Sequence, residues 1–391
     1  MEKAALTFMK MQKTIEFCKR IDQAVGGGGK WAIDLHTRFD TIQTIYNKQI
    51  LKQKLRMTKN YLFGCDWGTS SFRLRLMDVS KHTIIGEVVS NDGISTIYNA
   101  WKARNEDDEV DRQYFFREQL QKQINRISEK VGLTLDGVPV IISGMASSSI
   151  GMEEMRYAEL PFSINGSKTQ FRHYASHKNF SHHIILISGV KSDYDVMRGE
   201  ETELIGLLSL LHAQGNKIDK AILIFPGTHS KHLYVAHHQL INFHTYMTGE
   251  IFHVMGKYSI LQNSVDLSHM TELSGSNLSA FRLGVHESRA SNILNSLFSV
   301  RVNQLFHKLN KKENAFYLSG LLIGSEMKSL CEQPHEQLIL CSGSHLFELY
   351  QRAMAELGLL ERTMVIPAQL IDQAAMAGQL KIFQQIKNLT L

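Results

Sequence analysis

Apolar and polar positions alternate with two different periods along this chain, and the changes of period mark its elements. Tyr61-Leu62-Phe63-Gly64-Cys65 is a short apolar run, and Phe72-Arg73-Leu74-Arg75-Leu76-Met77 alternates with the period of two expected of a half-buried strand. Thr83 to Val89 supplies a third strand. Over 109–130 the period lengthens, placing Phe116, Leu120, Ile124 and Ile127 on one face of a helix that stops near Gly132. Buried-type strands are expected at Val138–Ile142 and His183–Val190, and a helix at Glu200–His212 with Leu204, Leu207, Leu208 and Leu211 inward.

The opening pattern then returns. Ala221–Phe225 reads as a strand, Pro226-Gly227-Thr228-His229 as a turn, His232–Val235 as a second strand and Leu240–Tyr246 as a third. Both halves thus begin strand, Gly-Thr turn, strand, turn, strand, with the two Gly-Thr pairs 159 residues apart. This repeat predicts two related α/β domains, about 57–217 and 218–391. The remainder is mainly helical: 286–309 and 316–331, then a strand Leu338–Cys341, a helix His345–Leu357, a strand Met364–Ile366 and a helix Ala368–Ile386 that is free to pack back onto the first half.

Composition narrows the classes. A chain of 391 residues with 43% hydrophobic positions can build two ordinary cores. The net charge of +5 suggests nucleic-acid binding until it is located. Residues 1–56 hold 11 Lys or Arg against 5 Asp or Glu, whereas the rest hold 32 against 33. The body therefore lacks the basic stripe that a phosphate backbone requires, and nucleic acid is set aside as a partner. The basic segment 1–56 also carries Gly26–Gly29 and ends where a strong strand begins. It reads as an over-extended start or dispensable extension with translation from Met57, the other reading being an appended segment with its own role. Four cysteines without a Cys-x-x-Cys pair fit a reduced cytoplasmic chain. No apolar run approaches the roughly 20 residues of a membrane helix, so no membrane partner is expected.

The turns are the candidate chemistry. A tight turn between strands leaves backbone N–H groups pointing one way, glycine lets an anion come close, and hydroxyls add donors. A carboxylate at the strand end repels phosphate but can hold a hydrated Mg²⁺ that bridges phosphates. Asp66-Trp67-Gly68-Thr69-Ser70-Ser71 has this composition; alone, an Asp and a Gly in a hairpin are ordinary. A second turn at Gly227-Thr228 lets two loops clamp a triphosphate, and Ser342-Gly343-Ser344, at a strand-to-helix junction, suits the nucleoside.

From about residue 60 onward the chain resembles the 2-dehydro-3-deoxygalactonokinase family, within the actin, sugar-kinase and Hsp70 superfamily. The resemblance is carried by Asp66–Ser71 with Arg73, Ser143-Gly144-Met145, Val196–Gly206, Pro226–His229 with Lys231, Met247–Glu250 and Leu318–Gly324. It implies two actin-like (ribonuclease H-like) domains with ATP in the cleft between them. It also implies phosphorylation of 2-dehydro-3-deoxy-D-galactonate with ATP and Mg²⁺ in galactonate catabolism. The alternatives are a kinase for another sugar or sugar acid, and a non-catalytic nucleotide-dependent sugar-acid sensor on the same fold.

On that resemblance Asp66 would hold Mg²⁺, Gly68, Thr69 and Ser70 would cradle the β- and γ-phosphates, and Gly227 and Thr228 would form the second phosphate turn. Arg73 would offset charge on the transferred group, and Gly343 and Ser344 would contact the adenosine. Related kinases place a catalytic Asp at the start of a helix that ends in Leu-x-Gly; here Glu200 stands about there and Asp195 slightly before it, so the base is open between them. Arg198 is the candidate partner of the substrate carboxylate. Glu250-x-x-His253 and Ser147-Ser148-Ser149 are set aside as metal and nucleophile candidates, because each lacks the rest of its motif. The assembly state is not specified, and a homo-oligomer is left open.

Overall fold

Sheet formation follows the alternation just described. The fold is that of a computed structural model, which describes residues 60–389 apart from 105–108, 269, 271, 291 and 334. The expectation for 1–56 lies outside the described residues. Strands β1 (Tyr61–Trp67), β2 (Phe72–Asp78) and β3 (Thr83–Ser90) form an antiparallel meander. Helices α1 (Ile94–Lys102) and α2 (Glu109–Val131) lead back to β4 (Val140–Gly144), which runs parallel to β1. The short strands β5 (Ala158–Glu159), β6 (Phe162–Ser163), β7 (Phe171–Tyr174), β8 (Ile184–Ile187), β9 (Val190–Lys191) and β10 (Val196–Met197) precede α3 (Glu200–Ala213).

The second half repeats the plan with β11 (Lys220–Phe225), β12 (Ser230–Ala236) and β13 (Gln239–Tyr246). Helices α4 (Thr248–Tyr258), α5 (Gly275–Ala290), α6 (Ile293–Leu305) and α7 (Lys311–Cys331) follow. Then come β14 (Leu338–Leu340), α8 (Ser344–Glu356), β15 (Thr363–Val365) and α9 (Ala368–Leu389). One six-stranded sheet has the order β3-β2-β1-β4-β8-β7, a second has the order β15-β14-β11-β12-β13-β6, and β10-β9-β5 form a small three-stranded sheet. Read from the meander, β3-β2-β1-β4-β8 and β13-β12-β11-β14-β15 are the same sequence of antiparallel and parallel neighbours. Each meander even carries a register shift in its second hairpin, at Leu76/Met77 and at Tyr234/Val235.

Each six-stranded sheet has its own core. In the first, Phe63, Cys65 and Trp67 meet Phe116, Leu120, Ile124 and Ile127 of α2, the helical face expected from the sequence. In the second, Ile222, Ile224, Leu338 and Leu340 meet Phe281, Phe316, Tyr350 and Met354. At roughly 1.5–3 kcal/mol for each fully buried large apolar side chain, these clusters are the main source of stability.

One element of each half reaches the other. Strand β6 adds to β13 at the edge of the second sheet. Helix α9 crosses α3, where Gly378 and Gly206 face the partner backbone so closely that a Cβ would lie 1.9 Å from the Thr202 and Ala374 carbonyl oxygens. Further along α9, Gln379 Nε2 donates to the Cys65 carbonyl and to Ser143 Oγ, each at 2.8 Å, and so joins β1 to β4 just behind Asp66.

The sequence reading misplaces some boundaries. The long helix expected over 286–309 is two helices, α5 and α6, because Asn292 caps the second by accepting from the Leu294 N–H at 2.9 Å. The strand expected over His183–Val190 is divided into β8 and β9. Helix α1, not foreseen, buries Ile94, Ile97 and Trp101 at helical spacing. Cys65, Cys331 and Cys341 are free thiols, and no helix among the described residues is long and apolar enough to cross a membrane.

Candidate active site

The first turn is closed by the Gly68 N–H donating to the Ser71 carbonyl at 2.9 Å. Helix α1 starts directly against it: the N–H groups of Ile94 and Ser95 donate to the carbonyls of Gly68 and Thr69 at 2.9 and 3.0 Å. A Cβ at Gly93 would lie 2.4 Å from the Thr69 carbonyl oxygen, so glycine is required for this approach. Thr69 and Ser70 are exposed, and no hydrogen bond among the described residues uses their N–H groups. Two N–H groups without partners beside two hydroxyls are the donors that an anion cradle needs.

The second turn is built the same way. Thr228 presents its carbonyl to the Glu250 N–H at 3.0 Å, and a Cβ at Gly249 would lie 2.7 Å from the Gly227 carbonyl oxygen. His229 Nε2 lies 2.5 Å from Glu250 Oε2, so Glu250 is engaged across the turn. His253 instead packs its ring against Tyr258, and Glu250-x-x-His253 is not a ligand pair.

Asp66 stands at the end of β1 beside Ser143 of β4. No hydrogen bond among the described residues occupies its carboxylate. Desolvation pushes its pKa up, Arg73 opposes this, and Glu200 adds to the rise. Helix α3 begins at this spot because Gly199, at φ +113°, turns the chain in a region that L side chains rarely adopt, close against Gly144. Its first turn carries Glu200, Glu201 and Glu203. Glu201 is buried and pushed up to about 7 by desolvation and then by Glu200, while the Gly199 N–H and the Thr202 hydroxyl donate to it. Glu203 is pushed well above the usual range by desolvation and then by Asp66.

Glu200 is held differently from its neighbours. Its Oε1 lies 3.0 Å from Nζ of Lys231, a buried residue of β12, and its Oε2 is buried without a partner. The Asp66 carboxylate is a hard anionic donor of the kind that holds a hydrated divalent cation, and the orphaned Glu200 oxygen is free to accept a hydrogen bond. Among the described residues no three His, Cys, Asp or Glu side chains converge to enclose a metal directly.

The other candidates are placed as follows. Asp195 accepts from the Thr245 N–H at 2.6 Å, the Thr245 hydroxyl at 2.9 Å and the Val196 N–H at 2.7 Å, which ties the β9–β10 hairpin to β13. Arg198 donates from Nε to the Tyr157 hydroxyl, and from its two terminal nitrogens to Ser147 Oγ and the Met155 carbonyl. Its guanidinium carbon lies 3.9 Å from the Tyr157 ring centre. Three of five N–H groups are thereby used, which fixes the plane and leaves two donors. Arg73 pairs with Asp372 of α9 at 2.9 Å and approaches Glu87 at 3.7 Å. Gly343 precedes α8 with open space where a Cβ would be, and Ser344 is the first residue of that helix.

Four partners escaped the sequence reading: Lys231 as the counter-charge of Glu200, Ser147 and Tyr157 as the holders of Arg198, and Gln379 behind Asp66. The first lay within Pro226–Lys231, where alternation along β12 could have pointed it inward; the others are contacts between distant elements with no local signal.

Two duplicated sheets that each offer a Gly-Thr turn, with a carboxylate cluster between them, define the class: an actin-like fold of the sugar-kinase kind. The family model for 2-keto-3-deoxy-galactonokinase matches residues 66–382, and the chain belongs to that family. It is 30% identical over 332 residues to the protein of Rhizobium meliloti assigned as 2-dehydro-3-deoxygalactonokinase DgoK1, covering 82% of this chain and 96% of that one. The 2-dehydro-3-deoxygalactonokinase of Escherichia coli is 29% identical over 234 residues, 56% of this chain and 71% of the relative. A crystal structure from Sinorhizobium meliloti, assigned to the same activity, superposes with a TM-score of 0.66 at 27% identity over 83% of this chain and 96% of that chain.

Proposed function

We infer that this kinase transfers the terminal phosphoryl group of ATP to 2-dehydro-3-deoxy-D-galactonate, giving 2-dehydro-3-deoxy-6-phospho-D-galactonate. Family membership supports the reaction. The observation that carries the mechanism is the Glu200–Lys231 ion pair, which draws α3 of one half and the second turn strand of the other to one place beside Asp66.

In this reading the N–H groups and hydroxyls of Thr69 and Ser70, with Gly68, meet the phosphates from one side, and Gly227 and Thr228 meet them from the other. Asp66 would hold Mg²⁺, which supplies charge neutralisation on the phosphates when bound. Phosphoryl transfer is mainly positioning and electrostatics, with a carboxylate to take the acceptor hydroxyl proton. Glu200 fills that role, its unpartnered Oε2 being the accepting atom and Lys231 balancing its charge at Oε1. Arg198 offers its two remaining N–H groups to the substrate carboxylate. Arg73 is held by Asp372 at the rim and acts on the site through charge alone. Adenosine lies near Gly343 and Ser344. The lobes 57–217 and 218–391 close over the bound ligands and exclude water.

A coupled ADP-release assay over 2-keto-3-deoxy acids, hexonates and free sugars tests the substrate. Turnover confined to free hexoses would sink the galactonate reading, and binding of ATP and sugar acid without turnover would favour a sensor.

A further inference from the structure

One buried carboxylate has no part in the chemistry above. Glu326, 3% exposed in the middle of α7, accepts from four side chains on three other elements. Ser230 Oγ and His232 Nε2 approach Oε1 at 2.6 and 3.1 Å. The Tyr350 hydroxyl donates to Oε2 at 2.8 Å, and Thr248 Oγ1 donates to the same atom. A buried charge is retained only when it is paired and hydrogen-bonded, and four donors on one carboxylate meet that condition.

What these donors hold is specific. Ser230 is the first residue after the second Gly-Thr turn, and its Oγ also reaches back to the Phe225 carbonyl at 3.3 Å. Thr248 is the first residue of α4, whose Gly249 and Glu250 make the backbone contacts with Gly227 and Thr228. Tyr350 belongs to α8, which begins at the candidate adenosine junction. Tyr350, Leu346, Phe252 and Leu322 line an apolar cavity of about 90 Å³ that opens beside Gly227 and Gly249. A single carboxylate therefore fixes the strand after the turn, the helix packed on the turn, and one wall of the adjoining cavity.

We propose that Glu326 is the positioning residue of the nucleotide side: through Ser230, Thr248 and Tyr350 it presets the 226–229 turn and the apolar cavity for ATP. This rests on the reading of that turn as a phosphate site. The first half has its own support in Gln379, so loss of Glu326 acts on nucleotide binding and leaves the sugar-acid side intact.

The test is calorimetric titration with Mg·ADP, together with KM for ATP and for the sugar acid, on the parent, Glu326→Gln and Tyr350→Phe. Glu326→Gln keeps the size of the side chain but removes the charge that the donors serve, and is expected to weaken ADP binding and raise KM for ATP about 10-fold or more, with the sugar-acid KM within about 2-fold. Tyr350→Phe removes one donor and is expected to weaken ADP binding about 3- to 5-fold; in the double variant it adds little, because it acts through Glu326. Unchanged ADP affinity in a folded Glu326→Gln protein, or an equal rise in both KM values, overturns the proposal. If Glu326→Gln does not fold, Tyr350→Phe decides alone, and unchanged ADP affinity there overturns it. A parent that turns over normally while the variants are unshifted refutes only the role of Glu326; a parent that binds no Mg·ADP refutes the nucleotide reading as well.

Discussion

The two halves share five strands in the same order and a turn with a helix packed on it, but one position of the register separates their chemistry. In the first hairpin Asp66 pairs with Arg73; in the second, Phe225 pairs with Lys231. Counted from the Gly-Thr turn, Asp66 and Phe225 are equivalent. The first half thus keeps a carboxylate at the strand end and adds the acidic start of α3, while the second keeps an apolar residue there and adds a cavity lined by Leu346 and Tyr350. The basic residues diverge as well: Arg73 turns to Asp372 of α9, whereas Lys231 reaches across to Glu200. On the proposed reading, the duplicated scaffold is divided into a side for metal and proton chemistry and a side for holding a nucleotide.

A large break in this asymmetry should come from its defining carboxylate. Asp66→Asn should lower kcat by about 10²- to 10³-fold, the range seen when one preorganised electrostatic group is lost. Steady-state turnover with Mg·ATP checks this, and the fold should survive, because the Asp66 carboxylate has no hydrogen bond among the described residues to lose.

Asp195→Asn should act on stability instead of turnover. Asp195 staples the β9–β10 hairpin to Thr245 of β13, so the variant should lose about 1–2 kcal/mol in denaturant unfolding with kcat within a few-fold of the parent. A kcat collapse at unchanged stability would return Asp195 to the list of proton acceptors.

A third effect concerns Glu201 and appears only as the pH is varied. Its carboxyl, raised from 4.5 to about 7, keeps a proton in the folded chain that the unfolded chain has already released, so stability falls as pH rises through that window, by up to about 3 kcal/mol above it. Glu201→Gln should therefore match the parent near pH 4.5 and exceed it in Tm at pH 8. Parallel Tm profiles for the two proteins would refute the shift.

Much of this asymmetry was legible before the fold was seen, and the reason lies in how local each feature is. The strands and turns of both meanders show as alternation around Gly-Thr, and the buried face of α2 shows as helical spacing at Phe116, Leu120, Ile124 and Ile127. The break at Asn292 was hidden because apolar residues continue on both sides of the cap. Candidate residues such as Asp66 and Glu200 were visible as motif positions. Their separate roles were not, since those depend on pairings 31 and 50 residues apart, Glu200 with Lys231 and Asp195 with Thr245. The same holds for Glu326, whose donors lie on three other elements and carry no common motif.

The division of labour is tested most directly by Glu200→Gln, measured for both kcat and Mg·ADP affinity. The account predicts kcat reduced by about 10²- to 10⁴-fold, as for loss of a general base, with ADP affinity within about 2-fold of the parent. Near-parental kcat in the folded variant would contradict it.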